Sequence, residues 1–586
     1  MRKTLIALTL LSLTACANQS STATGSATQQ NNAAVADSTT TQFESLADRI
    51  WEQLSARNDT ALQDMSPAAL QQRYQRNSDW LAQLNAVNTE QLTEQDKINH
   101  AMIRYVLKNA VDNYRFKAHL MPLTAEGSFH SRITFMPANT SFNNSQDYQD
   151  YVAKLGTVER YMKQQMNWLR EAIEQGYTQP KAAMAGFEES ILAYIVQDAE
   201  QSVFFTPFLS QPSFIGDNDW SELQQQARQT IDEQIMPAYD RYFQFMVGEY
   251  LPSARESVAA SQLPDGEAFY KNRIEYYTTT DMTAEEIHQV GLQEVARIRA
   301  EMLRVIDESG FDGDFDAFVE FLRTDPQFYP QTAEELLSYA ARIAKKMDGQ
   351  LPKLFKTLPR KPYGIAPVPA EIAPKYTTGR YSGTNRDDRA GFYWVNTYAL
   401  DRRPLYQMEA LTLHEAVPGH HLQNALAGEM EGVPEYRQQT YISAFGEGWG
   451  LYSEYLGLEA GFYQDPYSNF GRLSYEMWRA ARLVVDTGMH AMGWSRQRAI
   501  DFMASNTALS LHNVTTEIDR YITWPAQALS YKLGELKIKQ LRARAEQELG
   551  DAFNIREFHD AILANGSVPL DILEAQLNDW IEKQKS

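Results

Sequence analysis

The chain has 586 residues, a formal net charge of -21 and one cysteine. That acidity opposes nucleic acids and anionic membrane surfaces as partners, and a single thiol leaves no disulfide framework. The length allows either several domains at about 150 residues each or one large helical enzyme domain.

The first residues read as a leader. Arg2 and Lys3 make a basic start, Leu5 to Leu13 is an apolar run too short to span a bilayer, and Leu13-Thr-Ala-Cys16 closes it. This ending resembles a bacterial lipobox, which implies removal of residues 1–15 and lipidation of Cys16. Ala17 after it implies sorting to the periplasmic face of the outer membrane, with the lipid as the only membrane contact. Residues 17–42 contain almost nothing apolar larger than Ala and are expected to form a disordered tether. Folded sequence is expected from Phe43 to Ser586 as one large domain with lobes of about 43–275 and 276–586.

From Phe43 to about Leu120 apolar residues recur at helical spacing, and the same period returns over Tyr148–Glu174, Lys181–Gln201 and Trp220–Tyr250. Between them Pro122–Phe142, which carries His130, reads as a surface loop. Thr283-Ala-Glu-Glu286 has the form of a capping box opening a helix to about Ser309, on which His288 reads as a surface or packing residue. Pro359, Pro362, Pro367 and Pro369 exclude helix over Leu358–Ala373. Gly391-Phe-Tyr-Trp-Val-Asn396 is then the clearest β-strand. Either it props up the helix that follows, or its free edge holds an extended peptide, with Asn396 as a substrate-binding candidate. The expected fold is therefore mainly α, with a small β-sheet beside the next helix.

That helix carries the chemistry. Met408, Leu411 and Leu413 mark a buried helix ending in His414-Glu415-Ala-Val-Pro-Gly-His420-His421, so three of the ten histidines fall within eight residues. In the HExxH zinc motif two imidazoles one turn apart bind the ion and the intervening Glu serves as general base. Here the second imidazole comes two or three residues late. At roughly 100° per residue an unbroken helix would turn His420 about 120° from His414 and bring His421 to within about 20° of it. Pro418 and Gly419 could instead loop the extra residues out and return His420 to the metal. His420 and His421 both stay open as the second ligand.

A third ligand is needed, and Phe445-Gly-Glu447-Gly-Trp-Gly-Leu-Tyr-Ser-Glu454 offers two acids on one helical face. Glu447 is read as the ligand, because Gly446 and Gly448 beside it permit a close helix crossing. Glu454 is read as a carboxylate orienting a ligand imidazole, and the two roles could be exchanged. Downstream, Arg479, Arg482, Asp486 and His490 recur at three- and four-residue steps, as in a buried ion network or the wall of a polar cleft. Arg482 or Arg479 could hold a substrate carboxylate. Tyr531, followed by Tyr521 and His490, is the candidate for stabilising an oxyanion.

The segments HEAVPGHHLQ, GFYWVN, EGWGLYSE, RAARLVVDTGMH and RYITWPAQALSYKLG together resemble a bacterial family of lipoproteins of unknown function. That family resembles the gluzincin metallopeptidases, whose helical relatives include angiotensin-converting enzyme and thermostable carboxypeptidases. The resemblance implies a helical shell around a deep cleft, Zn2+ held by His414, His420 and Glu447, and Glu415 as general base. Those relatives keep strict HExxH, and this chain departs from them by its Pro-Gly insertion. The expected function is zinc-dependent hydrolysis of short peptides. A non-catalytic metal- or peptide-binding lipoprotein and a zinc amidase acting on cell-wall fragments are the alternatives.

Overall fold

The structure is a computed structural model that describes residues 25–370, 372–384, 386 and 388–585. The leader and Cys16, with its expected lipidation, lie outside the described residues. The first helix, α1 (Gly25–Ser55), begins inside the stretch expected to be a tether. Phe43, Leu46, Ala47 and Ile50 of this helix enter the core.

Among the described residues the architecture is helical apart from one three-stranded sheet. Three apolar cores organise the described residues. Residues between Leu123 and Tyr250 form a core of their own. Phe43 to Leu107, by contrast, pack with Val295 to Ile581. A third cluster, including Phe116, Trp168, Ile287, Leu483 and Leu529, joins the two. The segment expected as a surface loop contributes buried Phe129, Ile133 and Met136 to the second core, and His130 is buried there too. Its short helical turns carry no long period to read in sequence.

In the larger core, α2 (Ala284–Ser309) opens with the expected capping box, Thr283 and Glu286 exchanging bonds. The sheet follows: β1 (Tyr363–Pro367), β2 (Gly379–Ser382) and β3 (Gly391–Val395), in the order β1-β3-β2. β3 pairs parallel with β1 and antiparallel with β2. Tyr393 and Val395 alternate onto the buried face, and the Tyr393 hydroxyl lies 3.4 Å from Thr412 of the next helix, α3 (Met408–Glu415). β3 is thus the central strand, which corrects the expectation of a free edge there. The edges are β1 and β2, and β2 is the one that touches Glu415 of α3.

After α3 come α4 (His420–Gly428), α5 (Ser443–Glu459), α6 (Pro466–Ala491), α7 (Leu511–Thr523) and α8 (Ser530–Leu549). Almost every residue of α6 from Ser468 to His490 is buried, so this helix forms the centre of the molecule. α5 and α8 cross at backbone contact: a Cβ on Gly448 would lie 2.5 Å from Gly534, and one on Gly534 would lie 1.9 Å from the Ala444 carbonyl oxygen. Below this crossing the fully buried Lys532 of α8 meets Glu294 at 2.9 Å, Glu476 at 2.8 Å and Glu535 at 2.6 Å. The cation thereby ties α2, α6 and α8 together. Among the described residues no helix is long and apolar enough to cross a membrane.

Candidate metal centre

α3 stops at Glu415 because Ala416 leaves the helical conformation (φ -93°, ψ -111°) and Pro418 has no N–H to continue the ladder. The chain then makes a tight detour. Gly419 N–H donates to the Leu413 carbonyl at 3.0 Å, His421 N–H to Ala416 at 3.0 Å, and the Trp449 indole to the Pro418 carbonyl at 2.8 Å. Only glycine fits at 419, since a Cβ would lie 1.9 Å from the His414 carbonyl oxygen. The detour sets the His420 ring beside that of His414, with centroids 4.7 Å apart and planes at 89°.

Glu447 on α5 completes the group. Its Oε2 is 3.6 Å from His414 Nε2 and 3.4 Å from His420 Nε2, and the three ligand atoms all lie within 4.8 Å of one another. Bonds of about 2.1 Å at tetrahedral angles separate zinc donors by about 3.4 Å, so two nitrogens and one carboxylate oxygen at these distances fit such an ion.

The surroundings hold this geometry. His414 Nδ1–H donates to Glu454 Oε1 at 2.8 Å, and Arg479 approaches the same oxygen at 3.4 Å. Gly450 leaves room for the imidazole, since a Cβ there would be 2.7 Å from its Cε1 and Nε2. Burial works to depress the His414 pKa, but hydrogen bonds to Glu447 and Glu454 outweigh it and raise it to about 9. Burial likewise opposes the charge on Glu447, and the two imidazoles nevertheless hold its carboxyl well below the usual range. Glu415, next to His414, is buried, with Oε2 accepting the Tyr381 N–H of β2 at 2.8 Å.

Two phenols belong to this neighbourhood. Tyr531, in the first turn of α8, has its hydroxyl pKa raised by burial and then by the Glu447 charge, while the Arg482 guanidinium lies 4.3 Å from its ring centroid. Tyr441 is 42% exposed, its ring 6.5 Å from that of His420. It lies against Gly446, where a Cβ would meet the ring at 2.3 Å. Although the residue is partly open to solvent, its hydroxyl end is enclosed against Glu447, and that enclosure raises the hydroxyl pKa, with Glu447 and Tyr531 adding to the effect.

Residues 50–577 match the family described as "Bacterial protein of unknown function (DUF885)". The chain belongs to the DUF885 family. No curated protein matches it. Among solved structures it is similar to "the putative lipoprotein from Colwellia psychrerythraea", with 26% identity and a TM-score of 0.83 over 95% of this chain and 99% of that one. It is also similar to "a putative lipoprotein of unknown function from Shewanella oneidensis", with 18% identity and a TM-score of 0.67 over 93% and 98%. A metallocarboxypeptidase from Trypanosoma cruzi aligns at 13% identity over 69% and 97%, but its TM-score of 0.21 carries no argument.

In this DUF885 chain the structure brings together His414, His420, Glu447, Glu454, Glu415 and Tyr531. Five other candidates lie elsewhere or are already engaged. His421 points under the sheet, its ring 4.5 Å from that of Tyr363 and its Nδ1 3.0 Å from the Tyr381 hydroxyl; burial lowers its pKa to about 4. His490 is fully buried, with Nδ1 accepting Ala260 N–H and Nε2 donating to the Tyr521 carbonyl, each at 3.0 Å. It has no nitrogen left for an oxyanion. The Tyr521 hydroxyl is occupied by Trp478, Arg482 and Glu517. Asn396 is fully buried and donates to the carbonyls of Ala373, Tyr376 and Thr377, so it braces the chain entering β2 and cannot reach substrate. Arg482 is bound to Tyr521 and Glu517 and stacked on Trp478, which makes it a support for Tyr531. Sequence reasoning missed Tyr441 and the β2 edge. The sequence signal for the first is Gly446, which makes room for the Tyr441 ring and not for a crossing helix.

Proposed function

We propose that the protein is a zinc-dependent peptidase acting on short peptides, lipid-anchored at the periplasmic face of the outer membrane. The observation that carries this reading is the convergence of His414, His420 and Glu447, with Glu415 adjacent and held by the edge strand. His414, His420 and Glu447 would hold the ion. When bound there, zinc supplies Lewis acidity and makes water more acidic.

The chain's own groups supply the rest. Tyr381 N–H fixes one oxygen of Glu415, leaving the other to take a proton from the attacking water and return it to the departing amine as the C–N bond breaks. The hydroxyls of Tyr531 and Tyr441 are the donors available to the oxyanion that develops on the scissile carbonyl. The same Tyr381 N–H is directed away from β3, so the outer edge of β2 is where an extended peptide would pair. The lipid anchor rests on the lipobox-like ending at Cys16 and on the descriptions of the two similar proteins.

The test is cleavage of a peptide library by the mature protein, with and without a chelator, together with the Glu415→Gln variant. Chelator-sensitive cleavage that Glu415→Gln abolishes while metal content persists is the expected outcome. Metal-dependent peptide binding without turnover would favour a binding protein instead.

A further inference from the structure

β2 carries a cation that nothing described so far employs. Arg380 is exposed and makes no ion pair among the described residues; the Tyr376 ring, 5.6 Å from its guanidinium, is its close neighbour. It immediately precedes Tyr381, whose amide binds Glu415, so it stands one residue from the reacting centre along the edge proposed to receive the peptide. The other groups within its electrostatic reach are Glu415, Glu126 and Tyr531.

A carboxylate from elsewhere in the chain already approaches this corner. The turn Thr124–Gly127 reaches over from the smaller core, tied down by the Ala125 N–H on Thr523 Oγ1 at 2.9 Å. It carries Glu126 to 3.9 Å from Arg520 Nε. Glu126 is half-exposed and its contact is loose, whereas the other donors of Arg520 are taken by Gln527 at 2.8 Å and Glu517 at 3.2 Å. Arg482 gives Nε to Tyr521 and Nη2 to Glu517, which leaves only its buried Nη1 unpaired and no fork to offer. Arg380 is therefore the guanidinium here without a carboxylate partner among the described residues, its side-chain hydrogen bond going to the Tyr376 hydroxyl, in a chain whose net charge is -21. A planar fork with no carboxylate on it, beside an edge strand, matches a carboxylate bidentately.

We infer that Arg380 is a specificity residue that takes a carboxylate of the bound peptide, with Glu126 occupying the neighbouring cationic corner through a displaceable contact. The inference rests on the peptidase reading for its substrate, but its binding chemistry can be tested separately. A C-terminal carboxylate and an Asp or Glu side chain share that chemistry.

The experiment uses the mature protein, its Glu415→Gln variant for binding, and Arg380→Gln in both backgrounds. The probes are one apolar peptide as free acid, the same peptide as C-terminal amide, and the amide with one Asp introduced. Losing a charge-assisted bidentate contact corresponds to roughly a ten- to hundredfold loss in affinity or kcat/KM. That loss is expected for a carboxylate-bearing peptide in Arg380→Gln, with the plain amide unchanged and Arg380→Lys recovering part of it. If the free acid is preferred, the source is the terminus; if only the Asp peptide is, it is the side chain. Equal handling of all three peptides, a preference that survives Arg380→Gln, or no peptide binding would each overturn the inference. Cleavage without carboxylate preference leaves the peptidase reading intact. Arg380-dependent binding without any cleavage does the reverse.

Discussion

His414 Nδ1–H donates to Glu454 Oε1 across 2.8 Å, and this one bond decides which imidazole nitrogen faces Glu447. A carboxylate can only accept, so Nδ1 keeps its proton in either charge state, and Nε2 is the nitrogen that can give up its proton and take a metal. Replacing Glu454 by Ala should weaken zinc binding by about ten- to a hundredfold. Glu454→Gln should do less, because its amide oxygen can still accept. Titration against a chromophoric chelator measures both, and an Ala variant with unchanged affinity would remove Glu454 from the site.

Gly450→Ala should damage the same imidazole from another side. The added carbon meets the His414 ring at 2.7 Å, so it must displace either the ring or α5. Overpacking of this kind costs about 1–3 kcal/mol. Zinc affinity should fall along with stability. Gly428→Ala, which meets nothing within 4 Å, is the control and should leave both near wild type.

Much of this site is written locally. The Pro418-Gly419 insertion, the doubled histidine and the spacing of Glu447 and Glu454 can all be read from neighbouring residues, as can the Thr283 capping box. The choice between His420 and His421 could not be read, because it depends on a detour whose hydrogen bonds involve Leu413 and Trp449. The fate of His490 was hidden for a similar reason: its partners are the backbones of Ala260 and Tyr521, distant in sequence. The strand order was hidden as well. Gly379-Arg-Tyr-Ser382 is too short and polar to announce a strand, so the stronger β3 signal drew the edge to itself.

Lys532 lies where removing a charge is most costly. It is fully buried among Glu294, Glu476 and Glu535, and the surrounding acids raise its pKa against the effect of burial. Breaking a buried ion group on one side typically costs about 3–5 kcal/mol. Lys532→Met should lose that much in urea unfolding, and adding Glu535→Gln should restore part of it. A neutral Lys532→Met would mean that these carboxylates take up protons when the cation is gone.

Asp486 gives stability a pH dependence of defined sign. Burial raises its carboxyl to about 7, against the opposing bonds from the Tyr270 hydroxyl at 2.7 Å and the Ala526 N–H at 3.2 Å. An acid with a folded pKa above its unfolded value of about 4 binds its proton more tightly in the folded state. Its contribution to stability therefore falls as pH rises from about 4 to 7 and levels off above that. The difference in unfolding free energy between wild type and Asp486→Asn should follow this course. A flat or rising difference would contradict it.

The most direct measurement is the zinc content of the purified mature protein and of four variants: His414→Ala, His420→Ala, His421→Ala and Glu447→Ala. The expected result is a single zinc ion per chain in wild type and His421→Ala, with the metal lost or sharply reduced in the other three. A metal-free wild type, or metal kept in His420→Ala and lost in His421→Ala, would contradict a centre built on His414, His420 and Glu447.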